Sequence, residues 1–241
     1  MVDPSSLASL SFQTPLERAR QLVLQVANRF QGSPPATILD VGCGNGAQTL
    51  ALLEVFPQAT AVGIDLSPLS IESAKALQTQ SPAGARASFI SGDYLETELG
   101  QFDLILSDGT LHLIPGQTEA LFKKLVSELS PNGHLVFSMP YRCVYNTLLA
   151  GVRRVFRICQ GRYTDRLILK VAERMHAHEM PRDLLQERIS YMYLLPQRYV
   201  DRRLKSLLAR RFHLSPEQPL KYRHASPGQF KHTLEVFRKA A

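Results

Sequence analysis

Ile38-Leu39-Asp40-Val41-Gly42-Cys43-Gly44-Asn45-Gly46 ends an apolar run and leads into a helical stretch, Ala47 to Phe56. The three glycines allow a tight turn with no Cβ in the way, so the backbone can touch a ligand while the following helix offers its amide groups. Such a loop at the carboxyl end of a first strand is a nucleotide-type site. The next apolar run, Ala61 to Asp65, ends in a carboxylate 23 residues after Gly42. That is the separation at which an acidic side chain accepts hydrogen bonds from a ribose diol. A dinucleotide loop reads G-x-G-x-x-G; here Gly46 comes one residue early, and Asp40 stands two residues before Gly42. A carboxylate facing the loop repels phosphate at short range and favours an ammonium or a sulfonium.

Outward from this loop, short apolar runs alternate with helical stretches. Thr37 to Val41, Ala61 to Asp65, Ala87 to Ser91, Phe102 to Ser107 and His134 to Met139 read as strands, while Ala47 to Phe56, Pro68 to Gln80 and Gln117 to Leu129 read as helices. A further helix over Pro15 to Phe30 is stopped by Gln31-Gly32-Ser33-Pro34-Pro35. Strands apolar on both faces predict a parallel sheet covered by helices on both sides. From Tyr141 the alternation breaks into helical patterns at Tyr145 to Gln160, Asp165 to His178, Arg182 to Leu194 and Tyr199 to Arg211. Two extended segments close the chain, His213 to Leu220 and Thr233 to Arg238, with turn chemistry at Ser226-Pro227-Gly228. The expected architecture is one α/β domain over 1–241. It has seven strand candidates, a helical insertion after the fifth (141–199) and a closing strand pair (212–241).

The stretch D-V-G-C-G-N-G resembles the first motif of class I S-adenosylmethionine-dependent methyltransferases, a Rossmann-like family, and Val62-Gly63-Ile64-Asp65-Leu66-Ser67 resembles its second. Ser91-Gly92-Asp93-Tyr94 is similar to the third motif and Phe102-Asp103-Leu104-Ile105-Leu106-Ser107 to the fourth. Leu129 to Val136 is similar to the entry of the strand after it, with His134 where the family often has a second glycine. The resemblance runs in order from Thr37 to Met139. It implies a seven-stranded, mostly parallel sheet with one antiparallel strand near the C-terminus, residues 141–199 as a helical lid over the site, and S-adenosyl-L-methionine as cofactor. It implies Gly42 and Gly44 under the methionine part with Asp40 near its amino group, Asp65 on the ribose hydroxyls, Leu66 on adenine, Asp93 at the adenine amino group with Tyr94 beside the ring, and Ser107 near the reacting sulfur.

The implied reaction is displacement at the cofactor methyl, in which the protein aligns the reactants and excludes water. Candidates for a general base lie just after the fourth strand, where His112 titrates near neutrality and Asp108 is close in sequence. His176 and His178, two apart on a predicted helix, point to different faces, and without a third ligand at suitable spacing no metal site is predicted. Cys43, Cys143 and Cys159 form no C-x-x-C pair and leave one unpaired under any scheme, so neither a disulfide framework nor a thiolate zinc site is suggested.

Charge sharpens the question of partners. The chain carries 28 Lys+Arg against 21 Asp+Glu, and 16 of the basic residues but only 6 of the acidic ones fall between Tyr141 and Arg211. A solvated helix face explains this, with Arg153, Arg154 and Arg157 on its polar side. A membrane-surface helix, giving peripheral contact with lipid, is a second reading. An RNA-binding face through Arg202, Arg203, Lys205, Arg210 and Arg211 is a third. No Asn-Pro-Pro-Tyr sequence follows the fourth strand, as relatives acting on nucleobases often carry, and this disfavours nucleic acid. The leading expectation is methylation of an oxygen, nitrogen or carbon of a small, partly apolar metabolite, with RNA methylation or cofactor binding without turnover as alternatives. Residues between Tyr141 and Tyr193, among them Tyr145, Phe156 and Tyr163, are candidates to line the acceptor pocket. No basic start followed by an unbroken apolar run and no spanning segment is found, so a cytoplasmic location is expected.

Overall fold

The computed structural model describes residues 16–30, 32–176, 188–221 and 228–240. Seven strands form one sheet in the order β3-β2-β1-β4-β5-β7-β6. They are β1 (Thr37–Val41), β2 (Thr60–Asp65), β3 (Ala87–Ser91), β4 (Phe102–Asp108), β5 (Leu129–Pro140), β6 (Leu214–Pro216) and β7 (His232–Lys239). The first five pair in parallel, and β7 runs antiparallel to both of its neighbours. The chain thus turns outward from β1 in both directions, through β2 and β3 on one side and β4 on the other. That reversal leaves a crevice at the carboxyl ends of the strands, where open α/β sheets bind their ligands.

Both faces are covered. On one side α1 (Leu16–Arg29), α2 (Ala47–Val55) and α3 (Pro68–Gln80) meet sheet residues such as Ile38, Leu104 and Val136. On the other, α4 (Thr118–Ser127) and α7 (Arg202–Arg211) pack on Leu39, Ile105, Leu135 and Phe237. Local chemistry sets the helix ends. Ser67 caps α3 by accepting from Ser70 N with Pro68 in the first turn, and Asp201 caps α7 by accepting from Leu204 N. The Arg86 guanidinium donates to the carbonyls of Leu53, Phe56 and Ala59, satisfying groups that the end of α2 would otherwise leave bare. Asp103 accepts from Ala36 N, Thr37 N and Thr37 Oγ1, which pins the start of β1 to β4.

Between β5 and β6 lie α5 (Val144–Ile158), α6 (Arg162–His176), a 3-10 turn (Arg188–Tyr193) and α7. The extended segment expected over His213 to Leu220 is shorter, with three strand residues and an isolated bridge at Leu220 to Leu234. Arg182 to Glu187, His178, Met180 and the turn at Ser226-Pro227 lie outside the described residues. Two expectations about the insertion are corrected. Arg153 is not on a solvated face: it is buried, donating to Leu194 O and Gly228 O and lying over the Phe230 ring. Burial lowers its pKa to about 10. Tyr163 lines no pocket, being 88% exposed. Helical periodicity locates two faces of α5, but the pocket of carbonyls and aromatic ring that receives Arg153 comes from distant sequence and turns the helix opposite to the simple pattern.

Candidate active site

The glycine loop folds on its own hydrogen bonds. Gly42, Gly44 and Gly46 all have positive φ, at 76°, 54° and 73°. The N–H groups of Gly42 and Cys43 donate to Ile64 O, that of Gly44 to Asp65 Oδ2, and that of Gly46 to Cys43 O. These amides are therefore spent inside the protein and are not offered to a phosphate, in agreement with the charge argument from Asp40. Asp65 is held at both oxygens, its Oδ1 accepting from Ser67 N at 2.9 Å. Burial raises its pKa, and the two backbone donors oppose that rise. Leu66 follows, half-buried at the loop edge.

Asp40 is the most unusual group. It is almost fully buried, and its one side-chain donor is Thr49 Oγ1 at 2.6 Å. Among the described residues no lysine or arginine forms an ion pair with it. Burial pushes its pKa up to about 7, with Asp108 and Asp65 adding to the rise. A buried carboxylate without a cation is costly, and an ammonium or sulfonium ligand would supply what is missing. The donor set fits S-adenosylmethionine: a buried Asp40 that no lysine or arginine pairs among the described residues, a carboxylate at Asp65, and glycine backbone between them.

The remaining sequence-named residues divide. Asp93 is half-buried, with Oδ1 accepting from Leu95 N. Tyr94 does not stand free beside the loop. Its ring is buried in the core under α4 and its hydroxyl donates to Glu128 Oε2 at 2.7 Å, with Lys124 over the ring. Ser107 is fully buried and donates to Val41 O, tying the end of β4 to the end of β1. Gly46 is accounted for by packing, since a Cβ there would sit 2.6 Å from the Phe89 ring. At Gly42 a Cβ would meet Thr110 Oγ1 at 2.1 Å, so that glycine lets the loop after β4 close onto the glycine loop. Gly42→Ala is expected to displace Thr110 and strain the backbone, lowering the melting temperature by several degrees; a thermal melt beside wild type checks this.

Asp108 and His112 are brought together with two residues that the sequence analysis did not single out. Asp108 is the register partner of Ser138 on β5, and Ser138 Oγ donates to Asp108 Oδ1 at 2.5 Å. Ser138 Oγ also lies 3.4 Å from His232 Nδ1, at the start of β7, and the His232 ring meets the His112 ring edge-on at 5.1 Å. A polar row thus crosses three adjacent strands beside Asp40. His112 itself is buried, and its Nδ1 has no hydrogen-bond partner among the described residues. Burial, His232, Arg153 and Arg198 together hold its pKa well below the ordinary imidazole range. It is neutral at pH 7 and able to accept a proton.

The insertion holds this loop in place. The buried Arg198 donates to the carbonyls of Leu111, Ile114 and Gly116, and Gln197 N donates to His112 O at 2.9 Å. Asn146 at the start of α5 bridges Tyr141 O and Lys231, fastening the insertion to the strand that carries His232. No local pattern marks Ser138, His232, Arg198 or Asn146, because each acts on a partner at least 30 residues away.

Residues 33–180 match a family model described as a methyltransferase domain. The chain is similar to the malonyl-[acyl-carrier protein] O-methyltransferase of Priestia megaterium, with 38% identity over 121 residues covering 50% of this chain and 42% of the relative. The match thus spans less than half of that relative's length. It is also similar to the tRNA1(Val) (adenine(37)-N6)-methyltransferase of Porphyromonas gingivalis, with 30% identity over 178 residues, 65% of this chain and 66% of the relative. Among solved structures it shares its fold with the N-methyltransferase NodS of Bradyrhizobium japonicum in complex with S-adenosyl-L-homocysteine. That likeness has a TM-score of 0.58 at 18% identity, over 94% of this chain and 89% of that one.

Proposed function

The chain belongs to the family of methyltransferase domains, and from that premise we propose that it transfers a methyl group from S-adenosylmethionine to a small, partly apolar acceptor, with His112 as the base. The observation that carries this reading is the buried, cation-free Asp40 beside the Asp65-clamped glycine loop. Asp40 would face the ammonium and sulfonium end of the cofactor, Asp65 the ribose hydroxyls, Leu66 and Asp93 the adenine. When bound, the cofactor supplies an electrophilic methyl group on a sulfonium that departs as a neutral thioether. The protein's own residues orient and exclude water, and neutral His112 takes the proton from an acceptor hydroxyl or amine at a low-dielectric position. His232, Ser138 and Asp108 form the row behind it, with the His232 ring edge-on to that of His112.

The name of the Priestia relative supports an oxygen acceptor. The Porphyromonas relative motivates RNA instead, but two of the five cations named for an RNA-binding face are paired within the fold. Lys205 pairs with Glu235 at 2.8 Å, Arg211 pairs with Glu119, and Arg153 and Arg198 are buried on carbonyls. Calorimetry with S-adenosylmethionine on wild type and Asp65→Ala tests the cofactor reading. Saturable wild-type binding, weakened about 10- to 100-fold by the loss of charge-assisted hydrogen bonds in the variant, is the expected result; folded wild type that binds nothing overturns it. Activity that falls steeply with ionic strength on RNA, and is absent on small acceptors, would favour the second reading.

A further inference from the structure

We propose that the outward face of α5 and α6 docks on an anionic lipid surface. Val144, Leu148, Val152 and Val155 recur along α5 at spacings of four, four and three and are all exposed, Val144 at 77%. Tyr163, Leu167 and Val171 repeat the pattern along α6. Both helices turn their other sides to the same segment: Arg153 of α5 donates to Leu194 O, and Asp165 of α6 accepts from Tyr193 OH at 2.5 Å. The two apolar stripes therefore face outward together. Ile158, 79% exposed near the turn between the helices, continues them. Exposed apolar stripes on two successive helices mark an interaction surface.

The charge around the stripes selects the partner. Residues 144–176 hold seven Lys+Arg and two Asp+Glu. Arg154, Arg162, Arg166, Lys170 and Arg174 are all exposed, and Asp165 is held inward by Tyr193. Helical geometry at 100° per residue places Arg166, Lys170 and Arg174 on the same side of α6 as Tyr163, Leu167 and Val171. Aliphatic residues flanked by arginine and lysine on a helix form an interfacial element that buries its stripe at the acyl boundary and pairs its cations with headgroup phosphates. Two copies meeting through this face would bring like charges together, with Glu173 as the one acid on that side of α6 against five exposed cations. No helix among the described residues is long and apolar enough to cross a membrane; this face lies along one.

Docking does not rest on the methyl-transfer reading, and the test keeps them apart. The full chain is floated with vesicles of phosphatidylcholine alone and with vesicles in which phosphatidylglycerol replaces part of it. Wild type is expected to float with the anionic vesicles only. The Val152→Asp, Leu167→Asp double variant is expected to stay in solution. Arg154→Ala, Arg166→Ala and Lys170→Ala should each weaken binding about fivefold, and added salt should weaken it further. All five positions are exposed, so thermal melts and S-adenosylmethionine calorimetry should match wild type for every variant. Wild type that fails to float with anionic vesicles overturns the proposal. So does a double variant that floats equally well, or a wild-type dimer by sedimentation that the double variant converts to monomer, since a second copy would then occupy the face.

Discussion

His112→Phe is expected to lower turnover about 10²- to 10⁴-fold, the range over which a positioned base acts, while leaving S-adenosylmethionine affinity within about twofold because His112 is not part of the glycine loop. The protein should be no less stable than wild type, because the substitution removes a buried nitrogen that has no partner among the described residues and keeps a ring against His232. The pH dependence separates this role from a packing role. The pKa of His112 is depressed by burial and by His232, Arg153 and Arg198, so the imidazole is neutral in the free enzyme at pH 7 and above and its own protonation contributes no acid limb there. Single-turnover rates at saturating cofactor check both points. A variant with unchanged turnover would assign His112 to packing and leave the base to His232 or Asp108.

Asp40→Asn should do two opposite things. In the folded protein its pKa stands at about 7 against an ordinary value of 3.8. The unfolded chain therefore releases this proton first as pH rises. The sign follows directly: the native state is least penalised below about pH 4, loses stability as pH rises from about 4 to about 7, and loses no more above. Across that interval the loss is on the order of 4 kcal/mol. Asparagine has no charge to bury and still accepts from Thr49, so the variant should melt several degrees higher than wild type at pH 8. The same substitution removes the buried carboxylate proposed to meet the cofactor's cationic end, and affinity for S-adenosylmethionine should fall at least about 100-fold. Wild-type affinity should itself weaken as pH drops from 8 to 6, because protonation neutralises Asp40, and in the variant that slope should vanish. Melts across pH 4–8 with calorimetry at the same points measure both. A variant that is destabilised at pH 8 would mean that Asp40 serves the fold rather than a ligand.

The contrast between Asp40 and Tyr94 shows what a motif conveys. Both stand where the resemblance places a cofactor contact. Asp40 is set on β1 by strand alternation, on the side where Thr49 of α2 meets it and two residues before the glycine loop. Tyr94 follows a turn, where side-chain direction is not periodic, and the apolar pocket under α4 with Glu128 as acceptor takes its ring. Ser107 similarly spends its hydroxyl proton on Val41 O, which leaves its Oγ as an acceptor only.

The sequence by itself determined the strand–helix alternation, the glycine turn and the two carboxylates, because period, turn chemistry and short spacing are all local. The antiparallel strand near the C-terminus was foretold by the family resemblance and not by the local pattern. Tertiary structure alone decided that Arg153 turns inward and leaves an apolar stripe outward, and that Ser138 and His232 complete a row with Asp108 and His112. Tertiary structure also decided that Arg198 holds the His112 loop. Those outcomes rest on partners 30 to 94 residues apart, and which strand lies beside which is settled by the burial of the whole sheet, not by any stretch of chain read alone.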